Sequence, residues 1–187
     1  MRDEIIAILD RSYSMAGYED NTIKGFNAFI DEQRELSDDC AVTLILFDDR
    51  YEKVYEALPI EEVPKLTRKK YFVRGSTALN DAVARASNEA GLRFNNARRK
   101  PKNVIVYITT DGAENASKEY TARQLKKIIT TQENEWGWEY IYSGCDHDVE
   151  RVCLDIGIKT CNTVNFSKSR MVDNYAATSG MVSSYRK

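Results

Sequence analysis

Two apolar runs, Ile5-Ile6-Ala7-Ile8-Leu9 and Val104-Ile105-Val106-Tyr107-Ile108, contain no polar alternation. A strand with one wet face alternates apolar and polar residues, so unbroken runs point to strands buried on both faces in the middle of a parallel sheet. Such a sheet needs helices on each side, and its ligands gather beyond the carboxyl ends of its strands. Oxygen-bearing residues stand at that place in both cases. Asp10-Arg11-Ser12-Tyr13-Ser14 follows the first run, and Thr109-Thr110-Asp111-Gly112 follows the second.

Residues two apart in an extended stretch point the same way, so Asp10, Ser12 and Ser14 are expected to converge while Arg11 and Tyr13 face elsewhere. Between the two runs, Gly75-Ser76-Thr77-Ala78-Leu79 reads as a loop turning into a helix. Gly75 allows close backbone approach there, and Thr77 lies near the helix start. A donor set of carboxylate and hydroxyl oxygens selects a hard cation, Mg2+ first and Mn2+ or Ca2+ next, over zinc or copper.

In this ordered set the chain resembles the von Willebrand factor A domain family, whose metal-ion-dependent adhesion site combines D-x-S-x-S, a distant Thr and a distant Asp. Asp10, Ser12 and Ser14 match the first element, Thr77 the second and Asp111 the third. The likeness extends to Met15 and Gly17, to Phe47-Asp48 and to Tyr140-Ile141-Tyr142-Ser143-Gly144, and covers about the whole chain. D-x-S-x-S alone is a weak signal, because the same residues cap helices and turns. Three elements in order, each at a strand end or helix start, are far more specific. The resemblance implies that Ser12, Ser14 and Thr77 bind the cation directly, while Asp10 and Asp111 act through water or hold the hydroxyls in place. It implies a Mg2+-dependent adhesion module with one coordination position open to an Asp or Glu of another protein, and no catalysis. Small stand-alone domains of this look occur in bacteria and their phages.

The remaining sequence is expected to complete a Rossmann-like, doubly wound α/β fold with a mostly parallel sheet, one antiparallel edge strand and helices on both faces. Helical spacing predicts helices over 19–36, 78–97, 119–134 and 147–156, the last stopped by Gly157. Strands are expected over 41–47, 51–56, 138–142 and 160–164, with 51–56 as the antiparallel edge and Ser37-Asp38-Asp39 as a break after the first helix. No linker composition divides residues 1–187, which read as one domain, with 167–187 as a C-terminal helix or partly ordered tail.

Lys and Arg total 27 against 29 Asp and Glu, for a net charge of −2. That balance offers no general attraction to nucleic acid or to an anionic membrane. With no secretory leader pattern and no apolar run of membrane-spanning length, the expected setting is the cytoplasm, or the host cytoplasm for a phage gene. No feature sets the oligomeric state. Cys40, Cys145, Cys153 and Cys161 form no C-x-x-C pair and read as reduced, buried thiols. His147, in Cys145-Asp146-His147-Asp148, reads as structural, with Asp146 or Asp148 capping the next helix.

Two basic clusters, Arg98-Arg99-Lys100 with Lys102 and Arg68-Lys69-Lys70, read as solvated surface, the second close enough to the site to orient an acidic partner. Tyr13 and Tyr18 are the candidate recognition residues beside the cation, and Asp48 and Asp49 are expected to serve a turn. One rival reading is a Mg2+-dependent phosphohydrolase with Asp10 as nucleophile. Against it, Ser12 stands where a second aspartate is usual, and no lysine lies in a phosphate-binding motif. Another rival is an interaction scaffold that never loads metal.

Overall fold

A computed structural model describes residues 2–36, 39–145, 148–166 and 170–186. Its strands are β1 (Asp3–Asp10), β2 (Cys40–Phe47), β3 (Tyr51–Pro59), β4 (Val104–Thr110), β5 (Glu139–Cys145) and β6 (Thr163–Phe166), and its helices are α1 (Glu19–Leu36), α2 (Leu79–Asn96), α3 (Ala122–Trp136), α4 (Val149–Ile156) and α5 (Met171–Tyr185). The strands form one sheet in the order β3-β2-β1-β4-β5-β6. Every pairing is parallel except β2 with β3, so the sheet is the mixed, doubly wound one expected, with its antiparallel strand at the edge.

The unbroken apolar runs fill the centre. All of β1 and β4 is buried. Ile5, Ala7 and Leu9 join the core beneath α1 and α5, while Ile6 and Ile8 join the core beneath α2, α3 and α4. Full burial of each such aliphatic side chain stabilises by roughly 1.5–3 kcal/mol, which is why alternation disappears in a strand with two dry faces. The face of α2 that carries Leu79, Ala82, Val83, Ala86, Ala90 and Phe94 is buried throughout.

α1 and α5 cross closely because Gly25 has no side chain: a Cβ there would lie 2.1 Å from Cδ2 of Tyr175. The Tyr175 ring meets Tyr107 edge to face, with centroids 5.9 Å apart. Farther along, the Gln33 amide donates to the Ser179 and Ser183 hydroxyls at 2.8 and 3.0 Å. α3 opens with a reciprocal capping box between Thr121 and Gln124 and closes on Gly137 in the left-handed region. α4 is capped by Asp148 and stopped by Gly157, as expected.

Some boundaries differ from the sequence reading. Residues Thr160–Asn162 form a single 3-10 turn and the last strand begins only at Thr163, because side-chain alternation does not distinguish a tight turn from a short strand. Ser37, Asp38, Asp146, His147, residues 167–169 and residue 187 lie outside the described residues, and so do the readings that fell on them. Cys40 and Cys153 are buried free thiols, but Cys161 is exposed, since the 3-10 turn carries it to the surface. Among the described residues, no helix is long and apolar enough to cross a membrane.

Candidate metal centre

β1 lies where the strand order reverses, with β2 on one side and β4 on the other. A crevice opens beyond the carboxyl ends at such a point. Asp10 ends β1, Thr110 ends β4, and the loop before α2 delivers Thr77. The structure brings all five residues of the sequence motif together.

Three hydroxyls form a chain. Thr77 Oγ1 donates to Ser12 Oγ at 3.0 Å, Ser12 Oγ lies 3.0 Å from Ser14 Oγ, and Ser14 Oγ donates to Asp111 Oδ1 at 2.5 Å. Asp10 stands beneath them rather than among them. Its Oδ1 accepts the Ser12 amide at 2.7 Å and its Oδ2 accepts the Thr110 hydroxyl at 2.5 Å. Burial pushes the Asp10 carboxyl up to about 6 against the lowering effect of those hydrogen bonds. A carboxylate this enclosed gains strongly from a positive charge nearby.

The sequence reading predicted convergence by strand alternation through Ser14. Alternation ends at Ser12: residues Tyr13–Met15 make a 3-10 turn, and that turn lifts Ser14 beside Ser12. Arg11, expected to face away, turns into the interior. It donates from Nε to Asp48 at 2.8 Å and approaches Glu52 at 2.8 Å, and it is wholly buried. Arg74 reaches the same Asp48 oxygen at 2.7 Å. Asp48 also accepts the Arg50 amide, so it serves the turn as expected and anchors two arginines besides.

Several residues that fix the site escaped the sequence reading. Asn115 accepts the Thr77 amide at 2.9 Å, while the Thr77 carbonyl accepts the Asn115 and Ala116 amides. Glu114 accepts the Asn80 amide, and Asp81 accepts the amides of Lys118, Glu119 and Tyr120. The start of α2 and the loop after β4 are thereby laced together. Tyr71 is buried and donates to the Asp10 carbonyl at 2.6 Å. Tyr13 is 69% exposed, whereas Tyr18 packs partly buried against the core.

Gly112 completes the arrangement. A Cβ at that position would lie 2.9 Å from Thr77 Oγ1, 3.0 Å from Ser14 Oγ and 3.7 Å from Ser12 Oγ, so glycine keeps open the space onto which the hydroxyls face. The donor set and this space fit a hard divalent cation. Among the described residues, no three His, Cys, Asp or Glu side chains gather into a metal cage, so any cation here is held mainly by neutral oxygens.

No protein-family model matches the chain. No curated protein matches it in sequence. Solved structures match it in fold. The von Willebrand factor domain of the type V pili tip protein Mfa5 from Porphyromonas gingivalis superposes with a TM-score of 0.73 at 8% identity, covering 100% of this chain and 96% of that one. Proximal thread matrix protein 1 from the mussel byssus, with a zinc-occupied MIDAS motif, gives 0.66 at 16% identity, covering 97% of this chain and 46% of its own. BatB from Bacteroides thetaiotaomicron gives 0.62 at 16%, covering 97% and 98%. The chain therefore has the von Willebrand factor type A fold, and it spans under half the length of the mussel protein.

Proposed function

We propose that this chain is a divalent-cation-dependent protein-binding module. The observation that carries this reading is the hydroxyl chain Thr77-Ser12-Ser14 facing the space that Gly112 leaves open. Ser12, Ser14 and Thr77 would hold the cation, while Asp10 and Asp111 would orient hydroxyls and supply negative charge from behind. A bound cation would offer Lewis acidity and an incompletely neutralised charge to an acidic side chain of a partner. Mg2+ is the favoured ion for an all-oxygen site, with Mn2+ and Ca2+ next, and the zinc-occupied motif of the mussel protein adds zinc to the ions worth testing.

Catalysis by Asp10 is the weaker reading. A nucleophilic carboxylate needs an oxygen free to reach the substrate, and both Asp10 oxygens are engaged in a residue with 0% exposure. The test is a pull-down with wild type and Asp10→Ala, each in Mg2+ and in EDTA. A partner retained by wild type in Mg2+ alone is the expected result. Equal capture in all four conditions overturns the cation-dependent reading, and phosphatase turnover lost in Asp10→Ala would favour the enzyme.

A further inference from the structure

At the opposite pole, beyond the amino ends of the strands, the loop between α2 and β4 separates two adjoining hollows of about 260 and 570 Å³. Aromatic rings wall the smaller one. Trp138 is buried and meets Phe94 edge to face at 5.5 Å, while Trp136 stands 5.8 Å from Trp138 and is 47% exposed. Trp136 is nevertheless held in place. It ends α3 against the Gly137 cap, and a Cβ on Gly91 would lie 3.0 Å from its ring. A large, fixed and half-exposed indole is the kind of anchor found at the centre of protein interfaces.

The rim of this aromatic hollow is basic. Lys100 and Lys102, both exposed, line it opposite Glu135, and Lys100 also borders the larger hollow. There, Arg2 and Arg99 stand exposed with Asp39 as the one exposed carboxylate, while buried Glu4 is committed to Arg93 through a hydrogen bond of 2.9 Å. On a chain of net charge −2, this pole concentrates positive charge around an apolar slot. A second copy would present the same cations and be repelled. The slot is also smaller than the roughly 300–1,000 Å³ typical of whole small-molecule sites, so it suits one side chain of a larger ligand.

We propose that this cleft is a second, metal-independent docking site for an acidic segment of a partner protein, with an aromatic residue in the Trp136–Trp138 slot and flanking carboxylates on the basic rim. Electrostatic complementarity would set its on-rate and make binding salt-sensitive. The reading is independent of the cation site, which lies at the other end of the sheet.

The chain has two tryptophans, and both line this slot, so intrinsic fluorescence reports directly on its occupancy. The probe is a blocked peptide of aspartates around one phenylalanine, compared with the same peptide carrying alanine at the centre, with a lysine-flanked version and with adenosine monophosphate. Saturable quenching by the acidic phenylalanine peptide, unchanged by EDTA or by Asp10→Ala, is expected. Lys100→Glu combined with Lys102→Glu should weaken it at least about tenfold. Trp136→Ala, measured by calorimetry, should weaken it by a similar factor, with circular dichroism confirming the fold. No saturable response at millimolar peptide overturns the proposal. So do equal binding of the lysine-flanked peptide, loss of binding in EDTA, saturation by the nucleotide alone, or a Trp136-dependent dimer in sedimentation.

Discussion

At the scale of single residues, the proposed cation site depends on a side chain that is missing. Gly112 faces the hydroxyls of Thr77 and Ser14 at distances an added Cβ could not share without displacing them. Gly112→Ala should therefore keep its metal-free melting temperature close to wild type while losing most of the stabilisation by Mg2+, read by thermal unfolding with and without EDTA. Unaltered Mg2+ stabilisation would place the cation elsewhere. That Asp10, Ser12, Ser14, Thr77 and Asp111 would lie together was legible in the sequence, because Asp10 and Asp111 follow the two apolar runs, the serines follow Asp10, and Thr77 stands where a loop turns into a helix. Gly112 was part of the Thr-Thr-Asp-Gly run but drew no role, and Asn115, Glu114 and Asp81 gave no signal. They act on backbone amides 34 to 39 positions away in sequence, a relation that no local spacing encodes.

At the scale of elements, two junctions control how the layers sit. The β2–β3 turn is tied to the loop before α2 through Asp48, which holds Arg11 and Arg74 together. Burial pushes the Asp48 carboxyl up, but the hydrogen bonds from Arg74 and Arg11 outweigh it and hold the group below its ordinary value. A depressed carboxylate adds stability that is present above its unfolded pKa of about 4 and is lost as the pH falls through its folded value. Asp48→Asn should thus lower stability at neutral pH, and the gap to wild type should narrow below pH of about 4, measured by urea unfolding across the range. The other junction is α1 against α5. Gly25→Ala should cost about 1–3 kcal/mol in the same assay, because the Tyr175 ring occupies the space of the new methyl group. Strand and helix identity was legible from periodicity, including the antiparallel edge. The inward turn of Arg11 was not, since a charged residue next to a motif serine gives no sign that Asp48 and Glu52 await it inside.

At the scale of the whole molecule, the proposed cation binding would be linked to folding: an ion that binds only the native state stabilises it by about 2.7 kcal/mol at one hundred times its dissociation constant. For a chain of this size that corresponds to a rise of roughly 5–10 °C in melting temperature. Mg2+ should produce such a shift in wild type and not in Thr77→Ala. The same scale shows a relation between the two poles. β1 is hydrogen-bonded in parallel to β2 from Asp3 to Asp10 and to β4 from Glu4 to Leu9. Its first residues lie beside the basic cleft and its last at the proposed cation site, a span of about 20 Å at the rise of an extended chain. If partners held both ends, tension between them would run lengthwise along this one strand. The load would fall on both ladders in shear, so many backbone bonds would have to yield at once instead of opening one after another. The central strand would then be a tether as well as a core, and the domain would resist being pulled apart along the axis its partners define.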